Sequence, residues 1–223
     1  GAPHTHLKSL SISQHNNTFY YSGTDGRIFK GDYINMTNAP TNYYTPYPSK
    51  VIALSKDESY LVNGSDSSFV QVYDLSPRNK RPMVVQGFAG PSNDIEFMPD
   101  NSAFIIAAGN KTLWHVNHTT GAIKPIVTLP YELKCISISA DGKQLAGGTW
   151  SGQVVVLNLA DNTYSIIAED PTNRVLSVQF NKAGTLLAYG TDDLMNKRGT
   201  VKLYNFSTRE TRQFTGHRAG VYD

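Results

Sequence analysis

Leu133-Lys134-Cys135-Ile136-Ser137-Ile138 and, forty-two residues on, Val175-Leu176-Ser177-Val178-Gln179-Phe180 share one spacing: apolar, two residues, apolar, one residue, apolar. The same spacing stands at Leu7/Leu10/Ile12 and begins again at Val221. Weaker copies carry Ile52/Leu54 and Ile95/Phe97, with Ser49 and Ser92 in the first place. Successive starts at 7, 49, 92, 133 and 175 differ by 42, 43, 41 and 42. A fixed period of this size takes precedence over any local reading, because it sets the whole architecture. A second marker, the polar residue closing a later strand, falls at Asp32, Asp74, Asn117, Asn158 and Asn205, with steps of 42, 43, 41 and 47. Its first three steps match the first marker one for one. The last is longer by five and places an insertion in the fifth repeat.

Within each unit short alternating segments are separated by turn chemistry, at Asp25-Gly26, Asn63-Gly64, Asp141-Gly142 and Ala183-Gly184. Helical periodicity is absent. Four short strands in about 42 residues, repeated, are the sequence form of a propeller blade, each blade covering its neighbour's apolar face. The expectation is an all-β chain of β-propeller blades, each of four antiparallel strands, with about five blades present. The expected blades cover 5–46, 47–89, 90–130, 131–172 and 173–216, and 217–223 start a further one.

Three phrases carry a family resemblance. Ile138-Ser139-Ala140-Asp141-Gly142-Lys143-Gln144-Leu145-Ala146, Gly199-Thr200-Val201-Lys202-Leu203-Tyr204-Asn205 and Thr215-Gly216-His217-Arg218-Ala219-Gly220-Val221-Tyr222-Asp223 resemble the WD40 repeat, in a divergent form similar to bacterial arrays. The likeness spans nearly the whole chain and is strongest from Leu133 onward. Typical WD40 blades build a hydrogen-bonded network from a Trp, a Ser or Thr, a Gly-His histidine and a turn Asp. Here the Trp position holds Gly31, Tyr73, Val116, Leu157 and Tyr204. The turn Asp survives as Asp25 and is replaced by Ser67, Asn110, Ser151 and Arg198, and only His217 follows a Gly in the family's manner. Apolar packing is therefore expected to hold the blades. WD40 rings commonly have seven blades, so the resemblance implies an incomplete ring whose open faces and unpaired edges either self-associate or are completed by another polypeptide.

Composition excludes more than it assigns. With 223 residues and 39% hydrophobic content the chain can bury a sizeable core. A formal charge of +2 without long basic runs gives no nucleic-acid footprint. No apolar stretch reaches membrane-spanning length, so direct membrane insertion is not expected. Gly1-Ala2-Pro3-His4 lacks the form of a leader. The expected compartment is the cytoplasm, or the periplasm or exterior if a signal has been removed. The single cysteine, Cys135, rules out an internal disulfide and reads as a packed strand residue. His115 and His118 have an HxxH spacing, yet a strand-turn context sends them to different faces, so no metal site is expected. Gly147-Gly148 and Gly216-His217 read as turns between strands rather than a phosphate cradle. Six Asn-x-Ser/Thr triplets, at Asn16, Asn35, Asn63, Asn110, Asn117 and Asn205, follow from a chain rich in those residues. No catalytic set or cofactor motif stands out, and the expectation is a non-enzyme without cofactor.

Three places depart from the repeat and are candidate protein-binding surfaces. Thr41-Asn42-Tyr43-Tyr44-Thr45-Pro46-Tyr47-Pro48 concentrates Tyr43, Tyr44 and Tyr47 between the first two blades; they are interface anchors or pack on the outer strand of blade one. The insertion, Asp192, Asp193, Leu194, Met195, Lys197 and Arg198 among them, is read as a lengthened hairpin loop, a contact loop or a tolerated surface addition. Where blades begin, Glu132 and Arg174 are equivalent positions and Trp150 lies in the neighbouring turn; Trp150 is a contact or a cover for its hairpin. By resemblance, WD40 proteins often bind peptides with such positions at the narrow end of the ring. The reading is a scaffold that presents loops to a protein or peptide partner. The alternatives are a propeller enzyme or small-ligand sensor using the central channel, or an exported propeller resembling TolB-like repeats, suggested by Asp141-Gly142-Lys143.

Overall fold

The computed structural model describes residues 6–76, 81–193, 195 and 198–222, with backbone alone at 39, 40 and 42. Among these residues twenty strands form five four-stranded antiparallel blades of β-propeller type. The first blade is β1 (Leu7–Ile12), β2 (Thr18–Gly23), β3 (Arg27–Asp32) and β4 (Thr37–Tyr44). The second is β5 (Ser49–Leu54), β6 (Tyr60–Ser65), β7 (Phe69–Asp74) and β8 (Met83–Gln86). The third is β9 (Ser92–Phe97), β10 (Phe104–Ala108), β11 (Thr112–Val116) and β12 (Ile123–Thr128). The fourth is β13 (Leu133–Ile138), β14 (Gln144–Thr149), β15 (Gln153–Asn158) and β16 (Tyr164–Glu169). The fifth is β17 (Asn173–Phe180), β18 (Leu186–Asp193), β19 (Arg198–Asn205) and β20 (Thr211–His217). Each sheet is a simple meander, with strands paired in chain order.

Both markers of the repeat have a place in this order. Leu7, Ser49, Ser92 and Leu133 open β1, β5, β9 and β13, and Asp32, Asp74, Asn158 and Asn205 close β3, β7, β15 and β19. The closing residue ends the strand because its side-chain oxygen accepts backbone N–H bonds from the turn beyond: Asp32 from Ile34 and Asn35, Asn158 from Ala160, Asn205 from Ser207.

Two contact-defined units share the chain, residues 1–110 with 114–125, and 111–113 with 126–223. In the first, Val51, Val62, Val70, Phe97, Phe104 and Ile106 belong to one buried cluster and Tyr20, Ile28, Ile52, Leu61 and Tyr73 to another. The turn before β2 is fastened to the next blade by a carboxylate: Glu58 accepts hydrogen bonds from the Ser13 hydroxyl at 2.6 Å and from the Gln14 and His15 amides at 2.8 and 3.0 Å. Burial raises the Glu58 pKa, but these donors outweigh it and hold the carboxyl below its ordinary value.

In the second unit, Val178, Phe180, Leu187, Tyr189 and Tyr204 of the fifth blade pack on Cys135, Ala146, Val154 and Val156 of the fourth. Gly147 and Gly148 are not turn residues; they lie inside β14. A Cβ on Gly148 would overlap Val175, and one on Gly147 would come within 2.5 Å of Leu133 Cδ1. Their role is close approach of neighbouring strands, which alternation alone does not reveal. Gly216 and His217 likewise belong to β20 rather than to a turn. The equivalent glycine in the fifth blade, Gly190, seats Val221, whose N–H donates to the Thr191 carbonyl at 3.3 Å. Residues 219–222 thus begin on the fifth blade as Val175 begins on the fourth.

Candidate binding surface

Trp150 sits in the turn between β14 and β15, and the turn is tied shut from below. Gln153 donates its amide N–H to the Thr149 hydroxyl at 2.9 Å, and its side-chain oxygen accepts from Thr149 at 2.6 Å and Ser151 at 2.7 Å. Its amide nitrogen donates to Glu169 at 2.9 Å. Gly152 closes the turn at a φ of +87°, and its carbonyl accepts the Asp170 N–H at 3.0 Å. A Cβ on Gly152 would run into the Asp170 carbonyl. The turn and the 170–173 loop are therefore packed backbone to backbone, and the indole is left 56% exposed.

Two cations lie against that indole. Lys134 Nζ is 4.5 Å and Arg174 Cζ 5.7 Å from the ring centroid, both within cation–π range. Each is fixed by an acid. Lys134 pairs with Glu132 at 2.5 Å, and Arg174 pairs with Asp192, its register partner across β17 and β18. Arg174 Nε is buried and finds no hydrogen-bond partner among the described residues.

Adjoining this cluster, residues of the 170–173 loop, β19 and β20 enclose a cleft of about 760 Å³ whose lining includes Asp170, Asn173, Asp193, Arg198, Lys202 and His217. Lys202 Nζ meets Asp170 at 3.2 Å. The Thr172 hydroxyl first, with Lys202 and Asn173, holds the Asp170 carboxyl below its ordinary value against the opposing effect of burial. Asn173 and Arg174 face Asp193 and Asp192 in register, so cleft and indole share one end of these two blades.

The structure thus brings together Glu132, Trp150, Arg174 and Asp192 and places Asp193 and Arg198 beside them. It alters the reading of the insertion. β18 runs to Asp193 and β19 starts at Arg198, so the added residues mostly lengthen two paired strands instead of a loop. Asp192 is buried against Arg174 for the same reason and holds that residue in position. Met195 is exposed; Leu194 and Lys197 lie outside the described residues. In the first unit the Tyr43 and Tyr73 rings pack at a tilt with centroids 4.5 Å apart, and the Tyr47 and Phe69 rings meet edge to face at 5.5 Å. Tyr44 is exposed, and its carbonyl accepts a bond from the Tyr73 hydroxyl at 3.3 Å.

Lys134, Asp170 and Lys202 were not foreseen. Lys134 was within reach, since strand residues two apart share a face and Glu132 was already a candidate. Asp170 and Lys202 meet only through three-dimensional packing. Among the described residues no three His, Cys, Asp or Glu side chains are grouped to hold a metal ion. His118 is instead packed against Tyr60 at 4.5 Å and Phe97 at 5.7 Å. No family model matches the chain.

Proposed function

We propose that this chain is a non-enzymatic interaction scaffold of the WD40 type that receives a protein or peptide partner on the Trp150 end of its fourth and fifth blades. The observation that carries the reading is the exposed indole set between two acid-paired cations. An exposed tryptophan on a rigid hairpin loses little conformational entropy on binding and offers a large apolar contact, the character of an interface hot spot. Its neighbours are already neutralised in pairs, so a partner is not required to bring a compensating charge. It needs an apolar or aromatic side chain to cover the ring and polar groups to meet the rim.

The family assignment rests on the 42-residue period, the four-stranded blades and the quoted phrases. The turn at Thr149, Ser151 and Gln153 carries a small hydrogen-bonded polar network of its own. The test is selection of peptides from a displayed random library on the intact protein, repeated with Trp150→Ala. Enrichment of a common motif that is lost with the variant is expected; a motif retained undiminished by the variant would place binding elsewhere.

A further inference from the structure

The fifth blade departs from the repeat in three ways, and all three meet in the cleft beside Lys202. Three residues before the polar residue that closes each third strand, the chain carries Phe29, Gln71, Trp114, Val155 and Lys202. Val155 is buried, so a lysine stands where the fourth blade packs a valine. The lengthened hairpin is the second departure. β18 and β19 have eight residues each where β14 and β15 have six, and the extension carries Asp193, Arg198 and Gly199 to the wall. The third lies in β20: between the pairs Val201 with Phe214 and Gly199 with His217, Thr215 and Gly216 stand opposite the single residue Thr200. This bulge lines the cleft, and a Cβ on Gly216 would meet nothing within 4 Å, so open space adjoins the backbone there.

Lys202 pairs in register with Tyr189, whose ring packs on the fourth blade, and directly opposed strand residues share a face. The cleft therefore opens on the side of the fifth blade turned toward the fourth, and its walls lie within residues 170–218 of a single unit. Among the described residues they hold no apolar side chain. Arg198, Lys202 and Arg218 outnumber Asp170 and Asp193. Lys202 is paired with Asp170 at 3.2 Å, and Asp193 accepts the Met195 N–H at 2.9 Å. Arg198 and Arg218 are exposed and form no ion pair among the described residues. Two such guanidiniums beside the hydroxyls of Thr200 and Thr215 offer positive charge and hydrogen-bond donors to oxygen anions.

We propose that this cleft receives an acidic peptide segment, whose side-chain carboxylates pair with Arg198 and Arg218 and accept from Thr200 and Thr215. A volume of about 760 Å³ is far more than a single inorganic ion occupies and suits a ligand of several side chains. An extended peptide sends alternate side chains to one side, so acids two residues apart reach the same wall. Lys202 takes no carboxylate from the ligand while Asp170 holds it; the two unpaired arginines carry the contact. The site does not depend on what covers Trp150, and the indole surface and the cleft are tested separately.

Fluorescence anisotropy of a dye-labelled hexaglutamate on the intact protein at low ionic strength tests this. The peptide should bind, and added salt should weaken it. The double variant Arg198→Gln, Arg218→Gln should bind about tenfold more weakly or worse. Lys143→Gln with Lys182→Gln removes the same net charge from the turns before β14 and β18, at the opposite end of the two blades, and should stay within about twofold of the wild type. Inorganic phosphate at the concentration of competing unlabelled peptide should not displace the probe, and Trp150→Ala should leave its affinity unchanged. Thermal melting of the variants separates lost contacts from lost folding. Absence of binding, the same affinity in both double variants, or full displacement by phosphate would overturn the proposal; the second result marks attraction by net charge alone and the third a site for a small anion.

Discussion

Arg174 and Asp192 face each other across β17 and β18, and their ion pair directs the guanidinium toward the ring of Trp150. Asp192 occupies in the fifth blade the repeat position that Trp150 occupies in the fourth, so one repeat position supplies both the indole and the acid that positions its neighbouring cation. Asp192→Asn keeps the shape and removes the charge. With Trp114 replaced by Phe so that a single indole reports, the Trp150 emission should change in intensity in Asp192→Asn and change little in Asp193→Asn. Stability should fall by about 1–2 kcal/mol, the cost of a partly buried cation losing its partner.

Gly152→Ala tests the turn that presents the indole. The positive φ alone should cost about 1–3 kcal/mol, and the overlap with the Asp170 carbonyl adds to it. Urea unfolding should show a lowered midpoint. Gly184→Ala, where φ is also positive and a Cβ meets nothing within 4 Å, should cost less.

His118 gives a pH dependence with a defined sign. Burial first, against a smaller opposing influence of Asp57, lowers its pKa below the ordinary histidine value. A base with a depressed folded pKa stabilises the fold in its neutral form. That contribution is present above the unfolded pKa of about 6.5 and is lost as pH falls through the folded value. His118→Phe keeps a ring against Tyr60 and Phe97 without a titrating nitrogen. The loss of stability between pH 7.5 and 5 should be smaller in the variant than in the wild type, measured by thermal melting in matched buffers.

Leu187 is fully buried between the fourth and fifth blades. Leu187→Ala should lower unfolding free energy by about 2–5 kcal/mol, with the spread set by how far the cluster collapses around the cavity. Chemical denaturation gives the value, and a change below about 1 kcal/mol would show that the interface of the fourth and fifth blades is loosely packed around Leu187.

The period was legible because the same side-chain spacing is needed each time a first strand faces a neighbouring blade. Val175, Val178 and Phe180 meet that requirement on the fourth blade, and Leu7/Leu10/Ile12 and Leu133/Ile136/Ile138 repeat the spacing whatever the residues between them do. Gly147 and Gly148 were misread because a glycine beside a strand suggests a turn, while here the missing side chains let Leu133 and Val175 approach. The insertion was placed correctly in the chain, but its form was hidden: Asp192 and Asp193 look like loop residues until Asn173 and Arg174 pair with them. Of the candidate surface, Glu132, Trp150 and Arg174 followed from register. The Lys134 contact lies within the fourth blade and was within reach of the spacing, whereas Asp170 and Lys202 meet beside the cleft only through packing that spacing does not encode.

Peptide selection on the intact protein tests the central claim most directly when the selected peptide's affinity is then compared among wild type, Trp150→Ala, Arg174→Ala and Tyr47→Ala. The Trp150 surface predicts a loss of about 2 kcal/mol or more, roughly thirtyfold in Kd, for Trp150→Ala. A smaller loss is expected for Arg174→Ala, and no change for Tyr47→Ala, which lies on the other unit. Equal affinity for wild type and Trp150→Ala, or loss confined to Tyr47→Ala, would contradict it.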